Sequence, residues 1–396
     1  MKSEEILSAV QSNKNDITDF LADIVGIESI TCNEEMIVNR VEKEMKTLGY
    51  DEIIKDDFGN VIGRIGNGSK ILVFDAHLDV VDVEGQDWNT DPFRAVIKDG
   101  KMFGRGTIDD KGPFACTLYA GKIIKDLNLA DKYTVYIVGS IVEEECEGLA
   151  LGAFLKEYKI SPDCVVIAES SELEICRGHK GRAQITATFK GESVHASMHH
   201  DGINPIETAL PFLKGLIDFD KNIPLDKELG KGHITAVDTR CESLSLSSLP
   251  TSAKVIMDRR TTTLDSYESL IDELKALPNG DKCKLEYAVW KDTGFKGNDI
   301  GGEEYFPAWV LSEDHPLIQA GAEGYKELFK KDPVVTTWGF STNGNYTMGK
   351  NNFPTIGFGP GEMALCHLAN EHVVINDLLT ATAFYAGLAE RLSINI

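Results

Sequence analysis

The sequence predicts an α/β protein: a mainly parallel sheet covered by helices, interrupted by an inserted ferredoxin-like α+β domain. Three observations carry that expectation. Near-continuous apolar runs at 71–74, 133–142 and 164–168 alternate with helical stretches, the pattern of strands buried on both faces. Between about 184 and 290 the texture changes to alternating strands and two helices in the order βαββαβ. The chain of 396 residues also exceeds the size at which one hydrophobic core keeps growing. The expected boundaries are a main domain over 1–181 and 294–396, with 182–293 inserted.

Taken in order, residues 3–25 place Ile6, Val10, Ile17, Phe20, Leu21 and Ile24 at helical spacing, and 34–48 repeats the pattern before Gly49. Short β-rich runs follow at 51–55 and 60–65. The second meets the strand at 71 through Gly66-Asn67-Gly68, where the Asn-Gly pair is a hairpin signal. GRIGNGSK is a turn and not a phosphate loop, because its lysine does not follow the second required glycine. A β run at 94–98 and the glycine-rich GRGTIDDKG at 104–112 lead into a helix over 113–127. The strand at 133–142 runs into Glu143-Glu144-Glu145, a helix covers 147–158, and the strand at 164–168 stops at Glu169.

The insert reads as strands at 184–189, 233–239, 253–259 and 285–290 with helices at 204–219 and 266–277. The chain then returns through a helix at 315–329, a strand at 334–337, the loop GFSTNGNYT, a strand at 355–358, CHLANE at 366–371 and a closing helix at 376–392. No internal repeat or low-complexity tract interrupts this order.

A net charge of −23, from 40 basic and 63 acidic residues, works against nucleic acid or an anionic membrane as a partner. The N-terminus has neither a basic n-region nor an apolar h-region, and no stretch approaches the roughly 20 apolar residues of a membrane span. A cytoplasmic protein acting on a small molecule is expected. Eight dispersed cysteines without a C-x-x-C pair read as free, mostly buried thiols.

The chemistry gathers at the strand ends. In KILVFDAHLD, at 70–79, His77 and Asp79 lie two apart in an extended segment and so share a face. Alone, that pair is a capped strand end. His77 with Asp109, Glu144 and Glu145, Glu169 and His367 makes six groups, of which two imidazoles and three carboxylates are a mixed nitrogen and oxygen set suited to Zn²⁺, Co²⁺ or Mn²⁺. Five ligands are too many for one tetrahedral site with an open position, but they fit two metals bridged by a carboxylate. The sixth group, an acid, is then free as a general base.

HLD at 77–79, GRGTIDDKG at 104–112, EEE at 143–145, AES at 168–170 and CHLANE at 366–371 occur in the order found in the M20 family of dinuclear metallopeptidases. The chain resembles that family over nearly its whole length, and through FSTNG and EEE it most resembles the selenium-metabolism hydrolase subgroup. The resemblance implies two divalent metal ions, Zn²⁺ first, with Co²⁺ or Mn²⁺ as alternatives. His77 and Glu169 would be terminal ligands of one, Glu145 and His367 of the other, and Asp109 the bridge, with a cis peptide at Asp109-Asp110. Asp79 would orient His77. Many members read Asp-Glu-Glu where this chain has Glu143-Glu144-Glu145, and the implied base is Glu144, drawing a proton from a metal-bridged water.

The same resemblance makes the insert a lid through which two copies form a homodimer. His195, in ESVHASMHHDGINP, would then complete the partner subunit's site. Arg260 in MDRR either touches substrate or forms a structural ion pair. Where many members carry an Arg that grips a carboxylate, this chain has Asn345, so Ser341, Asn343 and Asn345 suit a neutral polar group; the other reading gives a carboxylate clamp to Arg260 or Arg182. The implied activity is hydrolysis of a peptide, N-acyl or carbamoyl bond in a small amino-acid derivative. A non-catalytic metal- or ligand-binding homologue is the alternative. Cys146 and Cys366 flank ligand positions and read as space-fillers.

Overall fold

The computed structural model describes residues 2–395. Its centre is four adjacent parallel strands, in the spatial order Tyr133–Ser140, Lys70–His77, Cys164–Ile167 and Thr355–Gly357. Their apolar sequences are explained by burial on both sides: Leu72, Val73, Phe74, Ile137, Val138, Val165 and Val166 are all inaccessible to solvent. Antiparallel strands flank the four, with Glu52–Lys55 and Val61–Ile65 at one side and Ile175–His179 and Trp309–Val310 at the other. Helices Lys111–Asp126, Pro316–Phe329 and Ile375–Asn395 pack together against the sheet. Parallel neighbours bring their carboxyl ends to one edge, which is where such sheets place ligands.

A second sheet has its own core. Strands Gly181–Lys190, His233–Glu242, Ser252–Thr261 and Cys283–Tyr287 are all antiparallel to their neighbours. Numbered within this unit they lie in the order 2-3-1-4, the ferredoxin-like arrangement. Helices Pro205–Asn222 and Tyr267–Lys275 supply Phe212, Leu216, Leu270 and Leu274 to a cluster with Ile185, Phe189, Val255 and Met257. Period-two alternation is plain in Gly181–Lys190, whose buried positions are Gly181, Ala183, Ile185, Ala187 and Phe189.

Two local expectations are corrected. Residues 3–25 form two helices, Ser3–Ser12 and Lys14–Val25, because the Asn13 side chain donates to Ala9 O at 2.8 Å and offers the backbone an alternative to continuing the helix. Gly66-Asn67-Gly68 closes no hairpin. Val61–Ile65 pairs with Tyr133–Ser140, which separates it from Lys70–His77. The glycines serve a close crossing instead: a Cβ on Gly68 would stand 2.1 Å from Lys132 C. Among the described residues no helix is long and apolar enough to cross a membrane. All eight cysteines are free.

Candidate active site

Each element delivers its side chain at the carboxyl edge. His77 is the last residue of its strand, Glu143 and Glu144 follow Tyr133–Ser140, and Glu169 follows Cys164–Ile167. Asp109 precedes helix Lys111–Asp126, and its peptide bond to Asp110 is cis. His367 sits in the loop after Thr355–Gly357 with a left-handed backbone, φ 63°. The two imidazoles meet opposite oxygens of one carboxylate. His77 Nε2 is 3.0 Å from Asp109 Oδ1, and His367 Nε2 is 3.1 Å from Asp109 Oδ2. On the His77 side lies Glu169, 3.5 Å away; on the His367 side lies Glu144, 2.9 Å away.

This corrects the expected order of the acids. Glu145 is exposed and lies outside the cluster, while Glu144 stands against His367 and Glu143 is buried 3.9 Å from His77 Nε2. The cause is local. Val142 adopts φ 61°, and the Asp79 carboxylate accepts Glu143 N–H at 3.1 Å and Glu144 N–H at 3.2 Å, so this turn, not strand alternation, aims the side chains. Asp79 also offers its carbonyl to His77 Nδ1 at 2.9 Å, which orients the ring toward Asp109.

Burial pushes Glu144 up to about 7 and Glu169 up to about 8, and holds Glu143 well above the ordinary carboxylate range. Burial alone would raise Asp109 too, yet hydrogen bonds from His367 and His77 bring it well below that range. His367 is pushed up to about 10 by its bonds to Asp109 and Glu144. Buried acids thus outnumber the imidazoles that compensate them.

Asp109, Glu143, Glu144, Glu169 and His367 line a cavity of about 300 Å³ together with Glu147, Arg182, Arg260, Phe340, Ser341 and Cys366. Arg182 pairs with Glu147 at 3.1 Å and Arg260 with Asp258 at 2.8 Å. The Ser341 hydroxyl is buried without a partner. Asn343 and Asn345, expected beside it, do not line the cavity. Asn343 donates to Asp75 at 2.7 Å and Ser140 at 3.1 Å and accepts from Gly148 N–H; Asn345, wholly buried, donates to Thr342 O at 2.8 Å. His195 is exposed on the inserted domain, its Nδ1 on Ser197, and takes no part in this chain's cavity.

Several supporting residues escaped sequence reasoning. Asp110 accepts His77 N–H at 3.0 Å and groups with His77 and Glu169 in a second possible ligand trio. Glu371, wholly buried, pairs with Arg105 at 2.7 Å and accepts Ile108 N–H at 2.9 Å, fixing the loop before Asp109. Gln86 donates to His367 O at 2.9 Å and accepts from Arg105 at 2.8 Å. Arg105 and Glu371 lie inside the motifs GRGTIDDKG and CHLANE, so their charge within those motifs is the available signal; Gln86 offers none.

A family model for Peptidase family M20/M25/M40 matches residues 73–391. The chain belongs to this family. It is 37% identical over 386 residues to the uncharacterized protein YgeY of Escherichia coli K12, covering 97% of this chain and 96% of that one. The M20 family metallo-carboxypeptidase Sso-CP2 from Sulfolobus solfataricus superposes with a TM-score of 0.75 at 18% identity, over 96% of this chain and 99% of that one. YXEP from Bacillus subtilis, a dinuclear metal binding peptidase of the M20 family, superposes with a TM-score of 0.70 at 13% identity, over 98% and 100% of the two chains. The M20 scaffold therefore carries here a buried His, Asp and Glu cluster of the kind that binds metal.

Proposed function

We propose that this M20 chain is a dinuclear metal-dependent hydrolase that cleaves an amide bond (peptide, N-acyl or carbamoyl) in a small amino-acid derivative. One observation carries the reading: His77 and His367 approach the two oxygens of Asp109 from opposite sides, as two ions sharing one carboxylate require. The donor set fits. Glu143 Oε1, Glu144 Oε1 and Asp110 Oδ1 are buried without a hydrogen-bond partner, and such oxygens are costly unless a cation compensates them. His77 and Glu169 would hold one ion and Glu144 and His367 the other, with Asp109 between. When bound, two such ions, Zn²⁺ first and Co²⁺ or Mn²⁺ next, polarise a carbonyl and acidify water.

The protein's own part follows from what remains free. Glu143 has no place in either ligand set, so it serves as the base that takes a proton from water and returns it to the leaving nitrogen. Asp79 keeps that carboxylate aimed by holding its backbone N–H. Arg182 and Arg260 are the cationic groups around the cavity and Ser341 its unpartnered hydroxyl, which favours a substrate with a free carboxylate and one neutral polar group. FSTNG and EEE ally the chain with the selenium-metabolism hydrolase subgroup.

The reading extends to a homodimer through the inserted domain. Ile206, Leu210 and Ile217 are exposed along one face of helix Pro205–Asn222, and His233–Glu242 is an open, largely exposed edge strand. A second copy seated there brings a second His195 toward the cavity.

The test is a panel of dipeptides, N-acyl and N-carbamoyl amino acids, each with a free or amidated α-carboxyl, assayed on protein reloaded with Zn²⁺, Co²⁺ or Mn²⁺. Metal-dependent cleavage that prefers the free acid supports the proposal. Protein that holds two equivalents of metal and cleaves none of them contradicts it.

A further inference from the structure

The loop that carries His367 is gripped by two other segments, and the grip converges on one carbonyl. Gln86 Nε2 donates to His367 O at 2.9 Å, and Arg105 Nη2 reaches the same oxygen at 3.5 Å. The Gln86 amide can sit only one way round. Its Oε1 accepts from Arg105 Nη2 at 2.8 Å and from Trp88 Nε1 at 3.1 Å; both of those groups are donors only, so Nε2 must face His367. Arg105 is fixed in turn by Glu371 at 2.7 Å and lies over the Trp88 ring at 5.2 Å. Asn89 N–H donates to Asn370 Oδ1 at 2.8 Å, a second tie between the same two loops.

His367 needs such a grip more than His77 does. His77 ends a buried strand, and its Nδ1 is turned by the Asp79 carbonyl. His367 stands in a loop with its side chain 53% exposed, at φ 63°, a left-handed backbone that a residue other than glycine keeps only where its surroundings over-determine it. Its contacts with Asp109 and Glu144 are both made by Nε2, at the far end of the ring from the backbone. The directions of the carbonyl and of Cβ are set by the same pair of backbone angles, so a group that holds the first also aims the second.

We propose that Gln86 is a positioning residue for His367: its amide, locked by Arg105 and Trp88, holds the His367 carbonyl and so keeps the imidazole turned toward Asp109 Oδ2. This rests on the reading of His367 as a ligand of one of two ions. Groups that orient a ligand from behind commonly change metal affinity by about 10–100-fold when removed. Gln86 does not line the cavity, and its bonds go to His367, Arg105 and Trp88, so its loss should fall on the His367-side ion and spare the one assigned to His77 and Glu169.

The experiment titrates Zn²⁺ into the metal-free full chain against a chelator of known affinity, which reads the two ions separately and needs no substrate. In Gln86→Met, a side chain of similar length, one ion should bind about 10–100-fold more weakly and the other within about threefold of wild type. The weakened ion should be the one lost in His367→Ala. Gln86→Glu should behave alike, because it keeps the acceptor toward Arg105 and Trp88 but sets an oxygen against the His367 carbonyl. A double-mutant cycle separates aiming from general support: in His367→Ala the remaining ion should be indifferent to Gln86→Met, since no imidazole is left to aim. Wild-type affinities in Gln86→Met or in Gln86→Glu, equal weakening of both ions, or a further loss when Gln86→Met is added to His367→Ala would each overturn the proposal. If Gln86→Met does not fold, the isosteric Gln86→Glu carries the test: selective weakening of the His367-side ion supports it and wild-type affinity overturns it. His367→Ala alone tests the ligand reading. If it keeps both ions, that reading and the positioning role fall together; if it loses one while Gln86→Met binds both as wild type does, only the positioning role fails.

Discussion

Glu144 Oε2 lies 2.9 Å from His367 Nε2, while Glu145, one residue further along, is exposed to solvent. That relationship divides three adjacent, chemically identical acids by role. Glu143→Gln should keep both metals and lose about 10²–10⁴ in kcat, the usual worth of a general base. Glu144→Gln should weaken one metal site, and Glu145→Gln should stay within a few-fold of wild type on both counts. Metal analysis alongside kcat checks all three, and metal loss in Glu145→Gln would reverse the assignment.

Asp109 touches both imidazoles, so its removal should not be selective. Asp109→Ala is expected to lose both metals together, whereas Glu169→Ala should retain the ion on the His367 side. Elemental analysis finding two full equivalents in Asp109→Ala rules out a shared carboxylate.

Asn343 and Asn345 act on stability and not on specificity. Asn343→Ala leaves the buried Asp75 carboxyl short of a donor and Gly148 N–H short of an acceptor, at a cost of about 1–3 kcal/mol for an orphaned buried group. Asn345→Arg forces a long cation into a wholly buried position and should impair folding. Urea melts read both effects, and an Asn345→Arg protein of wild-type stability that gained preference for a free carboxylate would contradict the placement.

His179 is buried, stacked edge-on against Trp309, and burial lowers its pKa from 6.5 to about 4. The folded state therefore binds fewer protons than the unfolded state between those values. Its contribution is present above about 6.5 and is lost as pH falls from there toward about 4, on the order of 3 kcal/mol in all. His179→Gln should flatten the fall in unfolding midpoint over that window. An identical pH slope in the variant would mean that His179 titrates normally in the folded state.

His195 lies too far out on the inserted domain to line its own cavity. If it serves a partner's site, mixing inactive His195→Ala with inactive Glu143→Gln should restore part of the activity in heterodimers. A fully active monomer in sedimentation would remove that role.

Much of this protein is legible from the chain alone, for physical reasons that are local. Strands buried on both faces must be continuously apolar, so 71–74 and 164–168 announced themselves, and the polar residues that end them, His77 and Glu169, could only lie at the sheet's edge. The alternation of Gly181–Lys190 likewise marked a second sheet with its own core. Tertiary structure decided what depends on bonds between distant segments. Glu143, Glu144 and Glu145 differ only because Asp79 and a left-handed Val142 turn the backbone beneath them. Asn343 and Asn345 look like pocket residues until Asp75, Ser140 and the Thr342 carbonyl are seen to occupy them. An Asn-Gly pair reads as a hairpin until a strand from sixty residues on inserts between its arms. Spacing fixes which residues can share a face, but the direction of a side chain in a loop is set by whatever accepts the neighbouring N–H groups, and those acceptors come from elsewhere in the chain.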